Sequence, residues 1–567
     1  MTKTIRLRSL ALLVGALCLL AAGTAGAAII TIVNNDGVNE GFNDPTARAP
    51  VGGNPGTTLG AQRLFVFQHA ANLWASRLPS NVVIEVRAQF NPLTCSSTSA
   101  VLGSAGPTTV HGNFANAPIL DHWYHQALAN RLANTDLSAA NPDINATFNL
   151  NIDSGCFGPG LVWYYGIDGN EGSNIELLPV VLHELGHGLG FSTMTSGTTG
   201  NYLSGYPSVF DYYLLDNTLG LHWDEMAPAQ RVASAIALDH LVWDGPEAVL
   251  EASTFLGNRP QMVINSPGGI AGTYAAQSAT FGAALTIAGV TGVVELANDG
   301  AGTDPNDACE PLINAAALAG KVALIHRGTC TFVAKAQAAQ AAGAIALLVS
   351  NNVASGLPGM GGDDPSITIP CIGITQAEGA AIEANLGSGV NVTIGLNPTL
   401  LAGADNSGRP LMYSPNPFQS GSSVSHWDVT LSPNALMEPA INSDLHDLID
   451  ITYGHFVDIG WLQGPAADSD LTPPVATVRL AQNVPNPFNP TTRISFDLQA
   501  DQEVELVVVD VAGREIVSLM QGRLPAGPHA VIWNGTGADG RRLPSGVYRY
   551  ELRGADWSES RSMVLLK

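Results

Sequence analysis

The sequence predicts an α+β region that is interrupted by an inserted α/β block and followed by an all-β sandwich, and three observations predict this. Between Ile29 and Phe90 the apolar spacing switches from the period of a strand to that of a helix and back. Near Leu256 the composition shifts into a Gly/Ala/Val-rich block that lasts to about Asn397, with short apolar runs around a helical stretch. From about Ala476 the chain alternates apolar and polar residues in short runs separated by turn signals, the pattern of a small β-sandwich.

Taken in order, Lys3, Arg6 and Arg8 precede an apolar run from Leu10 to Ala22 and then Ala25-Gly26-Ala27, the layout of a secretory signal peptide over residues 1–27. The segment from Ile29 reads as a strand, Gln62 to Arg77 as a helix and Val82 to Phe90 as a strand. A second helical segment is expected around Ile119 to Leu132 and a strand at Ala146 to Ile152. A helix then carries Leu177 to Phe191. Tyr206 to Asp216 reads as strand or loop, and Ala227 to Leu238 as a surface helix. The expected organisation is a first part over residues 28–256, an insert over 257–400, a second part over 401–463, a Pro/Asp-rich linker over 464–475 and a tail over 476–567.

The chain has 567 residues, of which 46% are hydrophobic and 13% charged, which suits several compact domains and excludes a wholly disordered chain. With 48 acidic against 24 basic residues the net charge is −24, which argues against nucleic-acid or anionic-membrane partners. Beyond the leader no run is apolar enough for an integral membrane span. Export to an oxidising compartment lets cysteines pair, and the expected disulfides are Cys95 with Cys156 and Cys309 with Cys330, leaving Cys371 free.

The chemistry concentrates in His183-Glu184-Leu185-Gly186-His187, an HExxH on a helix. Residues four apart share a helix face, so two imidazoles can serve one metal with Glu184 beside its water. The plain alternative is a helix with two satisfied histidines. Zinc needs a third protein ligand and an open position. Gly190 permits a sharp turn after the helix, but position 193, where a third histidine falls in the short metzincin motif, is Thr193. The downstream candidates are His222, His240, His326, His426, His446 and His455. His426 in SHWDVTLSPNALMEP leads, because Met437 follows it in a turn, and His222 in HWDEM is the runner-up.

At these residues the sequence resembles the leishmanolysin-like branch of the metzincins, in which HExxHxxGF is completed by a distant histidine in an HW context and by a Met-turn. The resemblance implies an α+β metzincin-like catalytic domain, a zinc endopeptidase with His183, His187 and His426 as metal ligands, Glu184 as general base and Met437 as the floor under the metal. Tyr453 is a candidate transition-state donor. The acidic loop Asp168-Gly169-Asn170-Glu171 is a candidate for calcium, with an ordinary polar turn as its plain reading.

The insert, with ACEPL around Cys309, GKVALIHRGTCTFVAKAQAAQAAGA and GMGGDDPSITIPCIGIT, resembles a protease-associated (PA) domain, which implies a noncatalytic module that shapes substrate access or binds partners. The tail, from LAQNVPNPFNPTTRISFDL onward, resembles the Ig-like domains of the flagellar hook-capping protein and of type IX sorting tails. That implies a bacterial exported protein, extracellular or attached to the cell surface through its export machinery. Protein or peptide substrates follow from the catalytic resemblance. The reading from a different class is a secreted adhesin on an inactive scaffold, and the two divide on whether His426 lies within zinc-bonding reach of His183 and His187.

Overall fold

The computed structural model describes residues 27–462, apart from 159, 355 and 443, and residues 478–565 with short breaks. The expected signal peptide, except for its last residue, and the whole of the expected linker lie outside the described residues. The chain separates into two compact units, 1–466 and 467–567.

The first unit opens with β1 (Ile30–Asn34), α1 (Leu59–Arg77), β2 (Ile84–Asn91) and β3 (Gly103–Pro107). They are followed by α2 (Gln126–Ala133), β4 (Ile144–Asn149) and α3 (Leu177–Leu189). The sheet order is β1-β2-β4-β3. β1, β2 and β4 run parallel, with Val86 opposite Ile144, and β3 is antiparallel at the edge, with Gly103 opposite Phe148. α1 starts where the Thr58 side chain accepts the Ala61 N–H. It buries Val66, Phe67, Ala70 and Trp74 against the sheet and α3, and the Trp74 indole donates to the Leu182 carbonyl at 3.0 Å.

Two expectations for this region are corrected. The helix expected from about Ile119 begins only at Gln126. The positive φ of Asp121 breaks the helix in the preceding segment, and Tyr124–His125 pairs instead with Val110–His111. The helix expected over Ala227 to Leu238 spans Pro228–Ser234 and is no simple surface helix. Arg231 is buried, and its guanidinium donates to the carbonyls of Gly200, Trp223 and Met226 and to the Tyr202 hydroxyl.

The insert is built on an eight-stranded sheet. Its centre is four parallel strands, Val290–Leu296, Val322–His326, Ala346–Ser350 and Cys371–Ile374, the last three almost wholly buried. Asn258–Ser266 and Asn391–Leu401 are antiparallel neighbours, so the chain enters and leaves the insert side by side. That closure lets the segments on either side of the insert share one core. Val66, Trp74, Leu182, Phe210 and Trp243 pack with Met412, Trp427, Met437, Phe456 and Trp461. The join is also polar. The Asp458 carboxylate, from α5 (Thr452–Asp458), accepts the Glu247 and Ala248 N–H groups at the start of α4 (Pro246–Phe255) at 2.8 and 3.0 Å, and the Trp243 indole N–H at 3.0 Å.

The second unit is all β. Thr492–Leu498 pairs with Val478–Leu480 and Gly527–Trp533, and Gln502–Val509 with Glu515–Leu524 and Gly546–Arg553, the last of which pairs with Ser558–Leu565. The two sheets enclose Leu480, Ile494, Phe496, Leu506, Trp533 and Tyr550. Disulfides join Cys95 to Cys156 and Cys309 to Cys330, and Cys371 is free and buried, as the cysteine pattern predicts. Among the described residues no helix is long and apolar enough to cross a membrane.

Candidate metal centre

α3 is buried along almost its whole length, and its glycines let it be so. A side chain on Gly186 would meet the Met437 Sδ at 2.7 Å, so only glycine lets Met437 lie against this turn of the helix. Gly190, at φ +145°, ends α3 in a conformation other residues rarely adopt. Phe191 is thereby turned back so that its carbonyl meets the His187 Nδ1 at 2.7 Å.

His183, His187 and His426 converge. Their Nε2 atoms are 3.1 Å apart between His183 and His187 and 3.2 Å apart in the other two pairs. Each Nδ1 faces a backbone carbonyl, Leu436 for His183 at 2.7 Å, Phe191 for His187 at 2.7 Å and Ser422 for His426 at 2.8 Å. A carbonyl only accepts, so each Nδ1 carries the proton and each Nε2 offers a bare lone pair. Burial drives all three rings toward the neutral form, His183 to about 3 and His187 to about 4. Three lone pairs facing one another repel unless a cation lies between them. Zn–N bonds of about 2.0–2.1 Å in tetrahedral directions separate the nitrogens by roughly 3.3–3.4 Å, close to what is found, so the donor set fits zinc.

Glu184 is 7% exposed, and the Ala105 N–H of β3 donates to it. Burial raises its carboxyl to about 8, against the lowering effect of that hydrogen bond. Met437 is fully buried, and its carbonyl accepts the Trp427 N–H at 2.8 Å, which ties the methionine turn to the residue after His426.

The other candidates lie elsewhere. His222 binds Asp244 at 2.8 Å with Glu225 near its second nitrogen, so the runner-up does not join the cluster. His240 contacts Thr218 and Asn217, and His326 is held between Asp304 and Glu383. His446 faces Glu176, and His455 is buried among aromatic rings. The Tyr453 ring lies 5.8 Å from the Arg77 guanidinium at the end of α1. Asp168 is taken up in its own turn, accepting the Tyr164 hydroxyl at 2.6 Å and the Asn170 N–H at 3.3 Å, as in an ordinary polar turn.

Several supporting residues carried no sequence signal. Thr193 donates its hydroxyl to the buried Asp211 at 2.5 Å, while its N–H donates to the Ser425 Oγ next to His426 at 3.2 Å. Asp211 also collects Thr195 and Ser208. Asp450 accepts the Leu436 N–H and the Thr452 hydroxyl, fixing the strand of chain whose carbonyl orients His183. Asp211 and Asp450 are remote in sequence from the motif they brace, and no spacing marks them.

Residues 290–382 match the PA domain family, and residues 482–556 match the FlgD Ig-like domain. The chain carries a PA domain and a C-terminal Ig-like domain. Signal peptide peptidase-like 2 of Arabidopsis thaliana is 38% identical over 93 residues, 16% of this chain and 17% of that protein. The chain spans less than a quarter of the length of the curated relatives it matches. Among solved structures, BSAP, a zinc aminopeptidase from Bacillus subtilis, is 26% identical over 26% of this chain and 36% of its own, at a TM-score of 0.19. FlgD from P. aeruginosa is 22% identical over 13% of this chain and 58% of its own, at a TM-score of 0.11. The Cys309–Cys330 bridge lies within the PA domain, joining the segment after its first central strand to the residue before Thr331, which caps the helix Phe332–Ala341.

Proposed function

We propose that the chain is an exported, metzincin-like zinc endopeptidase of the leishmanolysin type, whose PA domain is inserted in the chain between the second and third metal ligands. The convergence of three bare Nε2 atoms beside the buried Glu184 is the observation that carries this reading. It favours a hydrolase over an adhesin on an inactive scaffold, because His426 lies at ligand spacing from both helix histidines.

His183, His187 and His426 would hold a zinc ion, which would supply Lewis acidity toward a peptide carbonyl and lower the pKa of a water. Glu184 moves the proton. Its carboxylate takes one from the attacking water and returns it to the leaving amine. The Ala105 N–H holds that carboxylate against β3. β3 is the edge of its sheet, with pairing on one side only among the described residues, so an extended substrate chain can lie along its outer side, where the Ala105 N–H already serves Glu184 and Pro107 offers no donor. A strand laid along β3 passes Glu184 without needing a free terminus, which supports internal cleavage.

The test is zinc stoichiometry together with hydrolysis of an unfolded protein. Wild type is expected to cleave. Glu184→Gln should keep its metal and lose activity by about 10²-fold or more, and His426→Ala should lose both. A wild type that neither holds zinc at this cluster nor cleaves would overturn the reading.

A further inference from the structure

Among the described residues outside the three-histidine cluster, a second group of side chains brings metal-ligating atoms together and leaves carboxylate oxygens without a partner. Glu176 immediately precedes α3, yet its carboxylate does not cap the helix. The side chain is 4% exposed and faces His446, whose Nδ1 lies 2.7 Å from its Oε2. Its Oε1 is buried without a hydrogen-bond partner, and so is the Glu171 Oε2. Buried carboxylate oxygens left bare are costly, and two in one place more so, because the charges repel. Burial raises the pKa of Glu176, His446 and the Gly169 N–H offset part of that, and the Glu171 charge adds to it. One ligand atom from each of Glu171, Glu176 and His446 lies within 4.8 Å of the others.

We propose that Glu171, Glu176 and His446 form a second divalent-cation site that pins the start of α3 to the segment after Met437. A cation there satisfies both bare oxygens and cancels the repulsion between the carboxylates. Two carboxylates with one imidazole favour a first-row metal such as Zn²⁺ over Ca²⁺, which takes six to eight oxygen ligands. Asp168 and Asn170, which an all-oxygen site would recruit, are bonded to each other and to Tyr164. The site is separate from the histidine cluster, since the seven residues from Glu176 to His183 span about 10 Å of helix.

The experiment is titration of the metal-stripped full chain with Zn²⁺ alone, read as equivalents bound and as the shift in melting temperature. The His183→Ala/His426→Ala variant is expected to bind one equivalent and to melt higher with zinc. Adding Glu171→Gln and His446→Ala should abolish both effects. Should that combination fail to fold by near-UV circular dichroism, Glu171→Gln alone, at a half-buried position, should weaken the remaining zinc at least tenfold. Absence of zinc binding in a folded His183→Ala/His426→Ala variant overturns the proposal, as does binding insensitive to Glu171→Gln. The two sites fail separately. A wild type that binds one zinc, lost with Glu171→Gln/His446→Ala but kept without His183 and His426, leaves this site standing and removes the catalytic one.

Discussion

His455 sets an acid limit on the first unit, and its size follows from the structure. The ring is fully buried in α5, with centroids of Trp243, Phe191, Phe456 and Phe210 at 4.2, 4.3, 5.1 and 5.2 Å, and neither ring nitrogen has a hydrogen-bond partner. Burial therefore holds its pKa well below the ordinary histidine value, with the nearby His125 acting the same way. In the unfolded chain the pKa returns to about 6.5. Below that value the unfolded state binds a proton that the folded state refuses, so stability is full above about pH 6.5 and falls as the pH drops toward the folded pKa. One such group costs about 2 kcal/mol between pH 7 and pH 5. The perturbation is His455→Leu, which cannot take the proton. Whatever its effect at pH 7, its stability relative to wild type should improve by about 2 kcal/mol at pH 5. Urea unfolding at the two pH values, followed by tryptophan fluorescence with Trp243 in contact with the ring, measures the difference. A difference that does not change with pH would refute the reasoning, because it would mean that His455 is protonated or solvated in the folded protein.

Other outcomes follow from the same geometry. Asp458→Ala should destabilise the first unit by about 3 kcal/mol, since two buried N–H donors and a half-buried one lose their acceptor, and hydrogen exchange should rise first at the start of α4. Gly186→Ala pushes a methyl group into Met437 and should cost about 1–3 kcal/mol. In a double-mutant cycle Met437→Ala should relieve much of that cost, and additive effects would mean that the two do not touch. Thr193→Val should cost about 1.5–3 kcal/mol through the lost bond to the buried Asp211. It should also weaken zinc retention, because the hydroxyl bond to Asp211 fixes the backbone whose Thr193 N–H, kept in the variant, holds Ser425 beside His426; an unchanged zinc affinity would confine Thr193 to stability.

Local periodicity and motif spacing made much of this protein legible. The alternation at Val82 to Phe90, the apolar helix through HELGHGLGF and the short apolar strands of the insert each follow from contacts a few residues apart, so sequence alone specifies them. The cysteine pairs were legible because each joins cysteines within a single segment. The helix at Ile119 misled because pairing of Tyr124–His125 with Val110–His111 overrode local spacing.

The choice between His222 and His426 lay beyond the sequence, since both stand in an HW context. It was decided by the tertiary structure, where the antiparallel entrance and exit of the insert return the chain to the first core and seat Trp427 there, while Asp244 takes His222. The same holds for Asp458, whose carboxylate gathers donors from a segment more than two hundred residues away, whereas Asp211 and Asp450 gather theirs from nearby turns of chain that no periodicity marks. Thus the sequence by itself determined that His183 and His187 share a helix face with Glu184 between them in the chain, because one helical turn suffices to set the two imidazoles side by side. The approach of His426 to the two helix histidines was decided by packing across more than two hundred residues of intervening chain, where only a closed, shared core fixes which side chains meet.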